Sequence, residues 1–288
     1  MKILVLGGTR FFGKVLISRL LEIGHAVTIA TRGITPDPFG ERVNRIVVDR
    51  FSEASLRKTF TDTRWDVIYD QICYTPNEAK AACHVFLGKV DQYIFTSSMA
   101  VYDEFKDDPF MESDFDPYTY PLTVGGQADF SYSEGKRASE AYFFQKAPFP
   151  VTAVRFPIVM GDDDYTERLT FHIERIKGGK PFYVPNEHSK MSYISSEEAG
   201  DFLAWLAETR LTGPVNACSE GMISIKDLIT MIENIVGIQA VLTSNKRLEK
   251  SPYGYYGTKT MSTEKAKKAG YAFTNLSDWL PSLIESQK

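Results

Sequence analysis

A tyrosine four residues before a lysine can do acid–base chemistry when both lie on one face of a helix. The ammonium favours the phenolate and draws a phenol of pKa about 10 toward neutrality. The phenol can then move a proton on or off a substrate hydroxyl or carbonyl. This chain holds the pattern four times, at Tyr102/Lys106, Tyr132/Lys136, Tyr142/Lys146 and Tyr255/Lys259, so the spacing alone selects nothing. Neighbouring residues do. Tyr255 lies in SPYGYYGTK, where Pro and Gly oppose a helix, and Tyr102 begins an acidic loop. Tyr142 precedes Phe143 and Phe144 and reads as core. Tyr132 and Lys136 open a predicted helix over 131–146, where small Ser133 and Gly135 permit close approach. A third group completes the set. The segment YIFTSSMAVY ends a strand with Ser97 and Ser98, and either hydroxyl there can hydrogen-bond a reacting oxygen.

A second constellation suits a phosphate. The run VLGGTRFFGK sets Gly7, Gly8, Thr9, Arg10, Phe11, Phe12 and Gly13 between an apolar strand and an amphipathic helix. Such a turn brings backbone N–H groups and a helix N-terminus to a pyrophosphate. Arg10 stands where the pattern Gly-x-x-Gly-x-x-Gly has its middle glycine. The second strand ends Ala30-Thr31-Arg32-Gly33, where an NAD-binding unit commonly carries Asp or Glu for the ribose 2′-hydroxyl. A guanidinium instead forks onto a 2′-phosphate, so Arg32, with Arg10 in the adjacent turn, favours NADP over NAD. Asp49, ending the third strand, is the candidate acceptor for the adenine amino group. Arg50 beside it and Phe156-Pro157, at the end of VTAVRF, complete the expected cofactor-binding set.

These residues need a scaffold of alternating strands and helices. Apolar runs KILVLG, HAVTIATRG, NRIVVDR, WDVIYDQI, QYIFTSS and VTAVRF alternate with helical patterns, which predicts a parallel sheet covered on both faces. The expected fold is α/β, a Rossmann doubly wound parallel sheet with a smaller C-terminal α/β substrate lobe. Residues 1–155 form the nucleotide-binding domain. Residues 156–288 form mainly the substrate lobe, with some segments returning to the sheet. The stretch 103–120 carries seven acidic residues against one Lys and reads as a solvated loop.

Composition narrows the classes. The 288 residues are 43% hydrophobic and 24% charged, as in an ordinary globular protein. A formal charge of −4 argues against nucleic acid as the main partner, because phosphate neutralisation dominates such affinity. No apolar run reaches the roughly 20 residues of a membrane span, and MKILVLGG reads as a buried strand rather than a leader. Cys73, Cys83 and Cys218 form no CxxC and point to reduced thiols in a cytoplasmic protein. His25, His84, His172 and His188 show no ligand spacing, so no metal is expected.

The chain resembles the extended short-chain dehydrogenase/reductases, the NAD(P)-dependent epimerase/dehydratase family. The glycine loop, SSMAVY for Ser-Ser-x-x-Val-Tyr, YSEGKRASE for Tyr-x-x-x-Lys-x-x-x-Glu, and VNACSEGMISIKDL carry the resemblance. It implies Ser98, rather than Ser97, as the partner of the substrate oxygen. It further implies Tyr132 as the acid/base, and Lys136 as its activator and ribose anchor. Hydride would pass to or from a nicotinamide on a small, polar, sugar-like substrate, and a homodimer is the family analogy. Three departures qualify this. Met99-Ala100 replaces the Asp-Glu of sugar 4,6-dehydratases, which argues against that chemistry. Ile158 stands where an Asn commonly holds a sugar-nucleotide. GGTRF, YDQI and PFYVPN look like an atypical branch that includes chloroplast stem-loop RNA-binding proteins, so RNA binding or regulation on a non-catalytic nucleotide-binding fold is the alternative.

Overall fold

The computed structural model describes residues 1–288. Strands β1 (Lys2–Leu6), β2 (Ala26–Thr31), β3 (Asn44–Val47), β4 (Trp65–Asp70), β5 (Val90–Ser98) and β6 (Val151–Phe156) join a seventh, Gly213–Asn216, in one sheet. The order is β3-β2-β1-β4-β5-β6 and then Gly213–Asn216, every pairing parallel. That is the doubly wound order, whose strand ends form a ligand crevice where the winding reverses beside β1. The strands read as near-continuous apolar runs because helices cover both faces. All four residues Ile3–Leu6 and all six of β6 are buried.

Helices α1 (Phe12–Glu22), α2 (Glu53–Thr59), α3 (Pro76–Val85) and α4 (Tyr132–Lys146) fill the crossovers. Helix α1 buries Leu16, Ile17 and Leu20 on one face. That face meets α6 (Ser196–Glu208), a helix from the second half, in a core holding Ala199, Phe202 and Leu203. Helix α5 (Arg168–Lys177) precedes α6. Helices α7 (Ile225–Val236), α8 (Glu264–Lys268) and α9 (Leu276–Ser286) follow it. A separate core unites α5, α7 and α9 through Ile173, Leu228 and Leu280. The predicted α/β class and parallel sheet are observed. In the second half, Phe182–Tyr183 and Leu242–Thr243 pair as short parallel strands whose flanks lack alternating burial.

The acidic stretch is tied down more than a solvated loop would be. Phe110 and Phe115 are buried, and Phe110 N donates to Thr260 O (2.8 Å). Six of its seven acidic residues are exposed, while Phe110, Phe115 and the Glu112 carboxylate, which accepts from Asn216 N (2.9 Å), anchor it.

His172 of α5 is fully buried, stacked on Tyr253 at 4.9 Å, with Nε2 2.7 Å from Ser251 Oγ. Burial pushes its imidazole down to about 4, and the Arg168 carbonyl opposes that only in part. The unfolded chain therefore binds a proton at about pH 6.5 that the folded chain refuses until about pH 4. The His172 contribution is fully present above pH 6.5 and is lost as pH falls to about 4, on the order of 3 kcal/mol. Urea unfolding between pH 7 and 4 should show this slope, and His172→Gln should flatten it. An unchanged slope in the variant rules the assignment out.

Candidate functional site

The site begins with the capped start of α4. Ser131 Oγ accepts from Glu134 N (3.3 Å), and Glu134 Oε2 accepts from Ser131 N (3.0 Å). This reciprocal cap fixes the first turn, so Tyr132 projects with its side chain 55% exposed. One turn on, Lys136 runs inward and is buried. Its Nζ donates to Cys73 O (2.7 Å) and Thr96 O (2.8 Å) and lies 5.8 Å from the Tyr132 ring centroid. Two of three ammonium protons are thus committed to carbonyls at the ends of β4 and β5, and one is left. Gly135 lets α4 approach: a Cβ there would sit 2.4 Å from Tyr74 O.

Strand alternation separates the two serines. Ser97 is buried and donates to Glu140 Oε1 (2.5 Å). Ser98, the last residue of β5, is half-buried, accepting from Ala100 N (3.1 Å) with its hydroxyl proton given to no protein group. Behind Ser97, Glu140 Oε2 meets Arg155 Nη2 at 2.6 Å with both side chains fully buried. Arg155 Nη1 also donates to Tyr102 Oη (3.0 Å), and Tyr102 donates to Asn216 Oδ1 (2.6 Å). Tyr102, one of the four candidate tyrosines, is therefore core. Tyr142 is half-buried and packs against the apolar core, and Tyr255 lies outside any helix.

The glycine loop borders a cavity of about 360 Å³ at the C-terminal ends of β1, β2 and β3. Gly7, Gly8, Thr9, Arg10, Phe11, Phe12, Arg32, Asp49 and Arg50 all line it. Gly13 lies beneath, where a Cβ would come within 2.5 Å of Gln71 Oε1 and 2.7 Å of Gly8 Cα. Gly7 and Gly8 take φ +91° and +83°, which side-chain-bearing residues rarely adopt. Phe156 is buried with its ring 5.6 Å from that of Phe12 and so braces the loop; Pro157 is buried after it, and neither borders the cavity. Arg10 and Arg32 are exposed, and Arg10 touches only Thr35 Oγ1 (3.3 Å) and the Tyr165 ring (5.9 Å). The nearby Asp37 carboxylate is held by Arg45 at 2.6 Å and does not compete for Arg10. Asp49 keeps one carboxylate oxygen on Phe51 N (3.0 Å).

Arg50 is part of the wall. It is buried, with Nη2 bonded to Asp70 Oδ2 (2.5 Å) and Glu78 O (3.1 Å), while Nη1 has no protein partner. Gln71 Nε2 is likewise buried without one. Exposed guanidinium groups, loop N–H groups and two orphaned donors bordering one cavity fit a phosphate-bearing dinucleotide. Gln71, Ile72, Tyr74 and Tyr165 also line it and escaped the sequence reading. YDQI, a mark of the atypical branch, was the available signal for the first two.

Residues 3–86, which carry this loop and the first four strands, match the model of the NAD dependent epimerase/dehydratase family. The family resemblance holds. Beyond the family model, the chain is 28% identical over 206 residues to chloroplast stem-loop binding protein of 41 kDa b of Arabidopsis thaliana. The alignment covers 67% of this chain and 51% of that protein, so the chain spans about half the length of this relative. Among solved structures, the UDP-glucose 4-epimerase of Thermus thermophilus, in complex with NAD, superposes with a TM-score of 0.77 at 16% identity. That match covers 100% of this chain and 99% of the epimerase. Pal from Bacillus thuringiensis gives 0.76 at 18% identity, over 100% of both chains. At such identities the likeness is one of fold. No helix is long and apolar enough to cross a membrane.

Proposed function

We propose that the protein is an NADP-dependent oxidoreductase or epimerase acting on a polar, sugar-like hydroxyl or carbonyl compound. The observation that carries this is Lys136, whose Nζ lies 5.8 Å from the Tyr132 ring centroid and 4.7 Å from that of Tyr74, a lining residue of the dinucleotide cavity, with Ser98 ending the strand to which Lys136 is bonded. A nicotinamide bound there supplies the hydride acceptor or donor. Ser98 orients the substrate oxygen through its free hydroxyl proton. Tyr132 takes the proton from a substrate hydroxyl as the adjacent carbon loses hydride, or returns it to a carbonyl in reverse. Lys136, fixed by two carbonyls, directs its remaining N–H and its charge toward the phenol and the cofactor ribose. Met99-Ala100 leaves no carboxylate beside Ser98 for eliminating water, which supports oxidation or epimerisation over 4,6-dehydration.

Arg10 and Arg32 support NADP over NAD. Fluorescence titration should show NADPH binding at least tenfold tighter than NADH, and Arg32→Ala with Arg10→Ala should remove most of that preference. Equal affinities in the wild-type chain would contradict the 2′-phosphate reading.

The stem-loop binding relative favours a second reading, in which the fold serves RNA. The net charge of −4 weighs against it. A gel shift with a stem-loop RNA at physiological salt separates the two.

A further inference from the structure

Where the chain leaves the sheet and enters α5, polar atoms gather without partners. Asp164 Oδ1 is occupied by Thr166 N (2.9 Å) and Thr166 Oγ1 (2.6 Å), but its Oδ2 is buried and unbonded. The hydroxyls of Tyr193 and Tyr253 are also buried and unbonded, with their rings 5.5 Å apart. Arg168, half-buried at the first position of α5, gives its carbonyl to His172 Nδ1 (2.8 Å), while its guanidinium is paired with no carboxylate. Tyr193 pairs in register with Ile158, the residue after Pro157, which places this cluster beside the crevice.

These groups share one neighbourhood. Burial pushes the Tyr253 phenol up, Tyr193 and Asp164 push it further, and Arg168 opposes them. Tyr165, the residue after Asp164, lines the dinucleotide cavity, and Tyr253 stacks on His172 one turn past Arg168, so the cluster adjoins that cavity. A buried polar atom left unbonded forfeits its hydration without recovering it. A cluster of three beside an uncompensated guanidinium suits a ligand that satisfies them together. Asp164 needs a hydroxyl donor, the phenols can donate or accept, and Arg168 needs an anion.

We propose that Asp164, Arg168, Tyr193 and Tyr253 form the recognition subsite for a hydroxyl-bearing oxoanion, a sugar phosphate or sugar acid, with its charge on Arg168. This rests on the oxidoreductase or epimerase reading and names the substrate class that Tyr132 would meet.

The test is calorimetry on the full chain, with and without saturating NADPH, using glucose 6-phosphate, glucuronate, glucose and inorganic phosphate as probes. Wild-type protein should bind glucose 6-phosphate or glucuronate at least tenfold tighter than glucose or inorganic phosphate. The tighter of the two anions identifies phosphate or carboxylate as the source of charge. Arg168→Met should erase the preference, Arg168→Lys should keep part of it, and Tyr253→Phe should weaken sugar anions without weakening NADPH. No preference in the wild-type chain, or one that survives Arg168→Met, overturns the subsite. Failure of the nicotinamide reading looks different: NADPH does not bind, whatever the sugar anions do.

Discussion

Replacing Tyr132 by Phe is expected to lower turnover by about 10²- to 10⁴-fold, the usual contribution of a positioned acid–base group. The fold should not notice. The side chain is 55% exposed and its hydroxyl makes no hydrogen bond within the protein, so the stability change should stay within about 0.5 kcal/mol. NADPH affinity should also hold, because the cavity at the glycine loop excludes Tyr132. Single-turnover absorbance of NADPH with a substrate of the wild-type enzyme, alongside a thermal melt, checks all three. A variant that turns over at the wild-type rate removes Tyr132 from the chemistry. Lys136 offers a poorer test: its ammonium also bridges Cys73 O and Thr96 O, so its loss would mix inactivation with unfolding.

The second large effect concerns stability. Glu140→Leu should destabilise the protein by about 3–5 kcal/mol, because it strands the Arg155 charge in the interior. Arg155 is completely buried and its other partners, Tyr102 Oη, Glu112 O and Phe115 O, are neutral. Against a total stability of about 5–15 kcal/mol, that brings the chain near unfolding at ordinary temperature. Ser97 loses its acceptor as well, so the strand end that aims Ser98 should loosen. Urea unfolding measures the loss, and a change below about 1 kcal/mol would show that the pair is no keystone.

Local chemistry made part of this architecture readable from sequence. The glycine loop stood out because a tight turn against a sheet demands particular residues at Gly7, Gly8 and Gly13. Tyr132 could be separated from three look-alikes because it alone opens a predicted helix, with small Ser133 and Gly135 beside it. What escaped depends on distant segments meeting. Glu140 and Arg155 lie on a helix and a strand, and nothing in their spacing announces an ion pair. Arg50 sits next to Asp49 in sequence, yet Asp70 of another strand turns it into the wall. Phe110 and Phe115 hid within a run of acids whose charge dominates its appearance. Asp164, Tyr193 and Tyr253 come from three separate segments, so only the folded chain gathers them.

The packing of α1 against α6 has a consequence for synthesis and for dissection of the chain. The helix that opens the phosphate loop hides its apolar face only when residues 196–208 arrive, and β6 gains its outer neighbour only with Gly213–Asn216. A nascent chain that has emerged as far as residue 155 therefore carries every loop residue of the nucleotide site on a half-clad scaffold. Its sticky helix face and bare sheet edge need shelter until residues 196–216 are made. Cofactor binding should mature only once residues 196–216 are made, although the glycine loop that borders the cavity is synthesised well before them.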